Sequence, residues 1–256
     1  MGIEIEKLSD KLEEEWKSLE NSQVFQSSEW AKFLSITDVI TARNENGKLI
    51  GVMPFKEKRI GIFKLVTAPS IPLTDANQRE AFVNILNFFK KMGGVKLMET
   101  TYNDFNNGID YQSLGFSILT KGTQVIPLDQ PLEYVWGNIA GEEGKNYRKN
   151  YRKIKKAVRM GIEVTEADSK EYWDEFYKIY SDAGKERAVP TMSKEEYDSF
   201  REILVNANLA KLFIAKFNDE IIDGSVILLS DDEIVSFIGA SKKNRENLQG
   251  YSLILW

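Results

Sequence analysis

The sequence predicts an α/β fold of the α+β kind, divided into two halves, 1–128 and 129–256. Three observations carry that prediction. Helix-period and strand-period segments alternate along the 256 residues. Each half contains one three-stranded meander, and Asp129-Gln130-Pro131 is the clearest break between them.

In the first half, helical spacing covers 9–19 and 27–34, the second with Ser27 or Ser28 as N-cap. β-rich runs over 39–43 and 48–55 flank an Asn46-Gly47 turn, and 60–68 extends the meander. Residues 76–92 set Phe82, Ile85 and Phe89 on one helical face, and Gly93-Gly94 stops it. Strands over 95–99 and 116–127 follow. The second half reads as a short helix over 132–139, a basic helix between Gly144 and Gly161, and a strand over 162–165. Helices over 170–183 and 193–206 come next, then strands over 212–217, 221–229 and 233–238, and a last helix over 248–256.

Composition excludes whole classes of chemistry. With 42% of its residues hydrophobic, the chain can bury a real core. No run approaches the roughly 18 apolar residues of a membrane span, and the N-terminus is acidic where a signal peptide is basic, so a cytoplasmic location without an integral membrane segment is expected. Zero cysteines remove disulfides, thiol nucleophiles and thiolate metal sites, and zero histidines remove the usual general base and the commonest metal ligand. A Ser-His-Asp or Cys-His mechanism is impossible. No metal site is expected.

Charge is segregated. The net charge is −5, yet eight Lys or Arg and no Asp or Glu lie between Gly144 and Gly161. Read as a helix, Tyr147, Tyr151, Ile154 and Val158 form an apolar stripe, and Arg148, Arg152, Lys156 and Arg159 lie among the cations of the opposite half. Two readings stand. A solvated face is one, although like charges at i,i+4 cost roughly 0.2–0.5 kcal/mol per pair. The other is a platform for a phosphate-bearing partner, recognised locally rather than by coating DNA.

The two meanders match at an offset of 173 residues, which aligns Ala42 with Ala215, Gly51 with Gly224 and Phe55 with Leu228. A duplication is the reading, with the second copy short by roughly 40 residues at its C-terminal end.

The ordered set QSSEW, PLTD, DQPLEYVW, YRKNYRKIKKAVRMGIEV and LFIAKFNDEIIDGSVILL, ending in FIGASKKNRENLQGYSLILW, resembles the Fem family. The resemblance implies two GNAT-like acyltransferase halves and transfer of an aminoacyl group, with charged tRNA as donor and the amine of a peptidoglycan-precursor peptide as acceptor. It carries Asp75 over from the family's Gly-Pro-x-x-Asp segment, where Ile71 replaces the Gly. In the family's phosphate-holding Arg-x-x-x-Tyr pattern, Tyr197 is kept but Ser193 replaces the Arg, and Arg187 is the substitute. Lys32, two residues after Trp30, matches the family's early basic position. The pyrophosphate motif of acetyl-CoA enzymes reads Asn247-Leu248-Gln249-Gly250-Tyr251-Ser252 here, keeping only the central Gly. No cofactor is therefore expected, and a coenzyme A thioester is the less favoured donor.

Without His, a carboxylate can serve as the base when an amine attacks an activated ester. Asp75 is the first candidate, against a reading as N-cap of the following helix. Tyr102, Tyr147, Tyr151 and Tyr197 are candidate proton donors or packing residues, and Trp30, Trp136 and Trp173 read as core. Acyl transfer from coenzyme A or a carrier, and a non-catalytic nucleotide- or RNA-binding remnant, remain the alternative functions.

Overall fold

Ile3 and Ile5 alternate with Glu4 and Glu6, and that period of two makes Gly2–Lys7 a strand, β1, outside the elements expected from the sequence. The computed structural model describes residues 1–19, 23–75, 78–99, 108–119, 125–131, 134–135, 145–231 and 233–256, with the side chains of 145–149 excluded. The chain divides into two compact units, Met1–Lys121 with Ser230–Glu233, and Gly122–Leu229 with Ile234–Trp256.

In the first unit, β1 leads to α1 (Asp10–Lys17) and α2 (Ser28–Phe33), capped by Ser9 and Ser27 through their hydroxyl oxygens. Strands β2 (Asp38–Arg43), β3 (Leu49–Ile60), β4 (Phe63–Ala68) and β5 (Leu73–Thr74) follow, then α3 (Arg79–Lys91) and β6 (Val95–Met98). The sheet order is β1-β2-β3-β4-β6, with β5 beside β3. Only β4 and β6 pair in parallel among these strands. Strand alternation supplies two cores. Val39 and Val52 pack with Leu12, Trp16 and Ala31 on the α1–α2 face. Ile40, Ala42 and Met53 pack with Phe82, Ile85 and Phe89 of α3 on the other.

The second unit contains α4 (Lys145–Arg159), β7 (Glu163–Glu166), α5 (Lys170–Arg187), α6 (Lys194–Phe200) with a π-helical continuation at Arg201–Val205, and β8 (Ala210–Phe217). It ends with β9 (Glu220–Leu229), β10 (Ile234–Ser241) and α7 (Gly250–Ile254), and its sheet runs β10-β9-β8-β7, wholly antiparallel. Ser193 and Glu196 close a capping box on α6.

Both units thus run strand, two helices, antiparallel meander, helix. Each meander carries a bulge at the same place, between Ala42 and Arg43 and between Ala215 and Lys216. The hairpin of the second unit is one residue shorter, so Ala42 pairs with Gly51 but Ala215 pairs with Asp223. The alignment of Gly51 with Gly224 is therefore corrected by one residue. A Cβ at Gly51 would meet Ile85 of α3 at 2.9 Å, whereas one at Gly224 would meet Phe176 of α5 at 2.4 Å, on the opposite sheet face. The first sheet has six strands and the second four among the described residues.

Three other expectations change. α3 begins at Arg79 with Gln78 as its N-cap residue, so Asp75 is not the cap. Of the strand expected over 116–127, residues 116–119 and 125–127 are irregular and 120–124 lie outside the described residues. Most of the helix expected over 132–139 also lies outside them. In α4, Ala157 is fully buried while Val158 is 60% exposed, so the packed face is rotated from the apolar stripe read in the sequence. The cause is close packing of α4 on α7, where a methyl group fits beside Ile162, Ala215, Ile222 and Leu248.

Candidate functional site

Helix α4 sets Arg148, Arg152, Lys156 and Arg159 at intervals of four, four and three along one face. The side chain of Arg148 lies outside the described residues. Arg152 and Arg159 are exposed and Lys156 is half-buried. None of Arg152, Lys153, Lys155, Lys156 and Arg159 meets a carboxylate among the described residues, and Lys155 instead sits over the ring of Tyr151, 4.6 Å from its centroid. Elsewhere cations are commonly paired, as in Lys7–Asp38 at 2.7 Å, Lys17–Glu29 at 2.7 Å and Arg43–Glu6 at 2.8 Å. Among the described residues, no carboxylate neutralises these cations.

Behind α4, on the sheet face covered by α7, lies a residue that sequence reasoning passed over. Asp223 is 1% exposed and shares its face with Ala215, its cross-strand partner. A Cβ at Gly250 of α7 would meet Asp223 Oδ2 at 2.4 Å. Burial pushes the carboxyl up to about 6, against the pull of the Ser241 hydroxyl and the Tyr251 and Gly250 amides. Oδ2 itself has no hydrogen-bond donor in good geometry among the described residues. At neutral pH such a group is mostly ionised yet basic enough to accept a proton. The available signal was one ionisable residue inside the apolar run Ile221-Ile222-Asp223-Gly224-Ser225-Val226.

The residues named from the sequence are divided between the two units. Asp75 and Lys32 fall in the first unit, where Asp75 accepts from Lys48 Nζ at 3.2 Å and Lys32 is paired with Glu13 across α1 and α2. Arg187 is exposed at the end of α5 in the second unit, before Ala188 turns left-handed at φ 52°. Tyr197 is fully buried, with ring centroids 5.0 Å from Tyr177 and 5.8 Å from Trp173. Its hydroxyl has no partner among the described residues. Burial, then the carboxylates of Asp174 and Asp198, push its ionisation far up. As placed, it reaches no solvent and serves the core. Trp30 and Trp173 are buried, and Trp173 donates its indole N–H to Ala167 O at 3.1 Å. Tyr102, Trp136 and the side chain of Tyr147 lie outside the described residues, and Tyr151 is half-buried.

A strand–helix–helix–meander–helix unit occurring twice in one chain defines a class of repeated α/β fold, and solved structures share it. The crystal structure of FemX matches with a TM-score of 0.70 at 14% identity, over 98% of this chain and 84% of that one. The structure of L-PGS from Bacillus licheniformis matches at 0.55 and 14% identity, over 89% and 70%. A C-terminal DUF2156 domain from Agrobacterium fabrum matches at 0.53 and 7% identity, over 96% and 73%. No protein-family model and no curated protein matches the sequence. The similarity to FemX is one of fold, in line with the resemblance read from the sequence.

Proposed function

We propose that this chain is an acyltransferase that forms an amide bond, moving an aminoacyl group from an aminoacyl-tRNA to an amine of a peptidoglycan-precursor-like peptide. One observation carries the reading: within the second unit, the cations of α4 that meet no carboxylate among the described residues back onto α7, and α7 covers the buried carboxyl of Asp223. The fold shared with FemX supports it. Phosphates of the donor lie along Arg152, Lys156 and Arg159, which orient the ester without taking part in bond making. The acceptor nitrogen attacks the ester carbonyl carbon. The carbon–oxygen bond to the donor ribose breaks, and the amine proton passes through a carboxylate to the leaving oxygen. Asp75 is the candidate base that the family resemblance supplies, and Asp223, buried beneath α7, takes that role only if α7 moves aside to admit the amine. Both donor and acceptor are substrates, and the reaction uses no cofactor.

Transfer from an acyl-CoA is the second reading. Gly250, the survivor of the pyrophosphate motif, has its backbone against the carboxylate of Asp223, and a like charge there opposes phosphate.

A transfer assay with charged tRNA and with acyl-CoA, each against a panel of amines and precursor peptides, separates the readings. Product is expected from the charged tRNA and not from acyl-CoA. Product from acyl-CoA alone would replace the first reading with the second, and binding of tRNA without transfer by either donor would reduce the role to nucleic-acid binding.

A further inference from the structure

At one end of the first sheet, β3 and β4 run into a two-residue turn, with Ile60 paired to Phe63 across Gly61 and Ile62. Gly61 has φ +60° and nothing within 4 Å of its Cβ position, so the turn projects into open space. Ile62 is 94% exposed, Phe63 66% and Ile60 55%. A hairpin tip normally carries polar turn residues, and three large apolar side chains there are not explained by packing. Phe63 shares its sheet face with Leu65, and Leu65 pairs with Val95, 62% exposed, on β6, the edge strand among the described residues. The apolar surface therefore runs from the tip onto the sheet edge.

The same end is basic in an acidic protein. Residues 56–64 contain four cations and one carboxylate. That carboxylate, Glu57, is held by Lys64 at 2.6 Å. Lys58 and Arg59 are exposed and unpaired among the described residues, and alternation points them to opposite faces of the hairpin. The C-terminal turn of α3 adds Lys91, also exposed, and the chain then passes Gly94, where a Cβ would lie 2.4 Å from Lys64 O.

We propose that this hairpin is a peripheral membrane anchor, with Ile60, Ile62 and Phe63 entering the headgroup region of an anionic bilayer and Lys58 and Arg59 meeting its phosphates. Charge complementarity selects the occupant. A nucleic acid would satisfy the cations but leave the three apolar side chains in water, whereas an anionic lipid surface takes both. No described helix is long and apolar enough to cross a membrane, so the contact is interfacial. The inference is independent of the acyl-transfer reading.

The test is co-sedimentation of the full chain with vesicles of phosphatidylcholine alone and of phosphatidylcholine mixed with phosphatidylglycerol. Binding is expected only to the mixed vesicles, weakening with salt, and Lys58→Gln with Arg59→Gln should weaken it by about fivefold per charge. Ile62→Ser with Phe63→Ser should abolish it with an unchanged thermal unfolding midpoint, because neither side chain is packed. A Phe63→Trp variant should show blue-shifted emission with mixed vesicles alone. Binding retained in the double Ser variant, an unshifted emission spectrum from the Phe63→Trp variant, or loss of binding on replacing Arg152 and Arg159 instead would overturn the proposal. So would a dimer in sedimentation that the double Ser variant dissolves, since the tip would then bind a second copy.

Discussion

The carboxylate of Asp223 lies against the backbone of Gly250, so closely that a Cβ at position 250 would stand 2.4 Å from Asp223 Oδ2 and 2.9 Å from Ala215 Cβ. Neither neighbour can yield easily. One is a buried charge on a central strand and the other is backbone-fixed. Gly250→Ala should therefore lower stability by about 1–3 kcal/mol, and chemical denaturation would measure it. An unchanged midpoint would mean that α7 shifts freely on the sheet.

Asp223 also gives the fold a pH dependence of defined sign. Its value of about 6 in the fold lies above the ordinary 3.8, so the folded state binds the proton more tightly. The associated stabilisation is complete below the unfolded value and is lost as pH rises through about 6. Glu6, hydrogen-bonded by Arg43, and Asp38, hydrogen-bonded by Lys7, are held low and act oppositely, losing stability as pH falls. The difference between Asp223→Asn and the parent chain isolates the effect. The variant should gain about 2 kcal/mol at pH 8 relative to its standing at pH 4, and about 3 kcal/mol relative to a pH well below 3.8, where the unfolded carboxyl is also protonated. If it also serves as the base, the same variant loses transfer activity while gaining stability, a combination that a structural role does not produce.

Replacing Arg152, Lys156 and Arg159 of α4 together by Gln leaves Ala157 and its packing intact. The melting temperature should hold or rise slightly, because like-charge repulsion along the helix is relieved. Affinity for charged tRNA should fall, and its dependence on salt should flatten by roughly one slope unit for each phosphate no longer neutralised. Unchanged affinity would return α4 to the status of a solvated face.

Asp75 and Tyr197 are separable by conservative changes. Asp75→Asn keeps an acceptor for Lys48, a partly exposed pair worth about 0–1 kcal/mol, so its stability should barely move. A loss of turnover of about 10²–10⁴-fold would mark Asp75 as the base, and full turnover would leave that role to Asp223.

Tyr197→Phe removes a buried hydroxyl that has no partner among the described residues, so the variant should be as stable as the parent or more so. Retained activity is expected from its burial. A large loss of turnover with native stability would show that the core around Trp173 and Tyr177 opens during catalysis.

Much of the architecture is legible in the sequence because it is written in local periodicity. Ser9, Ser27 and Ser193 mark helix starts, Asn46-Gly47 marks a turn, and two apolar meanders show a repeated unit. Where neighbouring elements meet is set instead by packing in three dimensions. The one-residue difference between the two hairpins is invisible to a linear offset, yet it puts Asp223 rather than Gly224 on the face of α7. Side chains alternate along a strand, so a slip of one residue exchanges core for opposite face. The buried side of α4 is hidden from the sequence for a related reason. Val158 is the better hydrophobe, but α7 approaches at Ala157, and steric fit where the helices meet outweighs side-chain hydrophobicity. The raised proton affinity of Asp223 follows from the same packing, because desolvation depends on what surrounds a carboxyl in space and not on its neighbours in the chain.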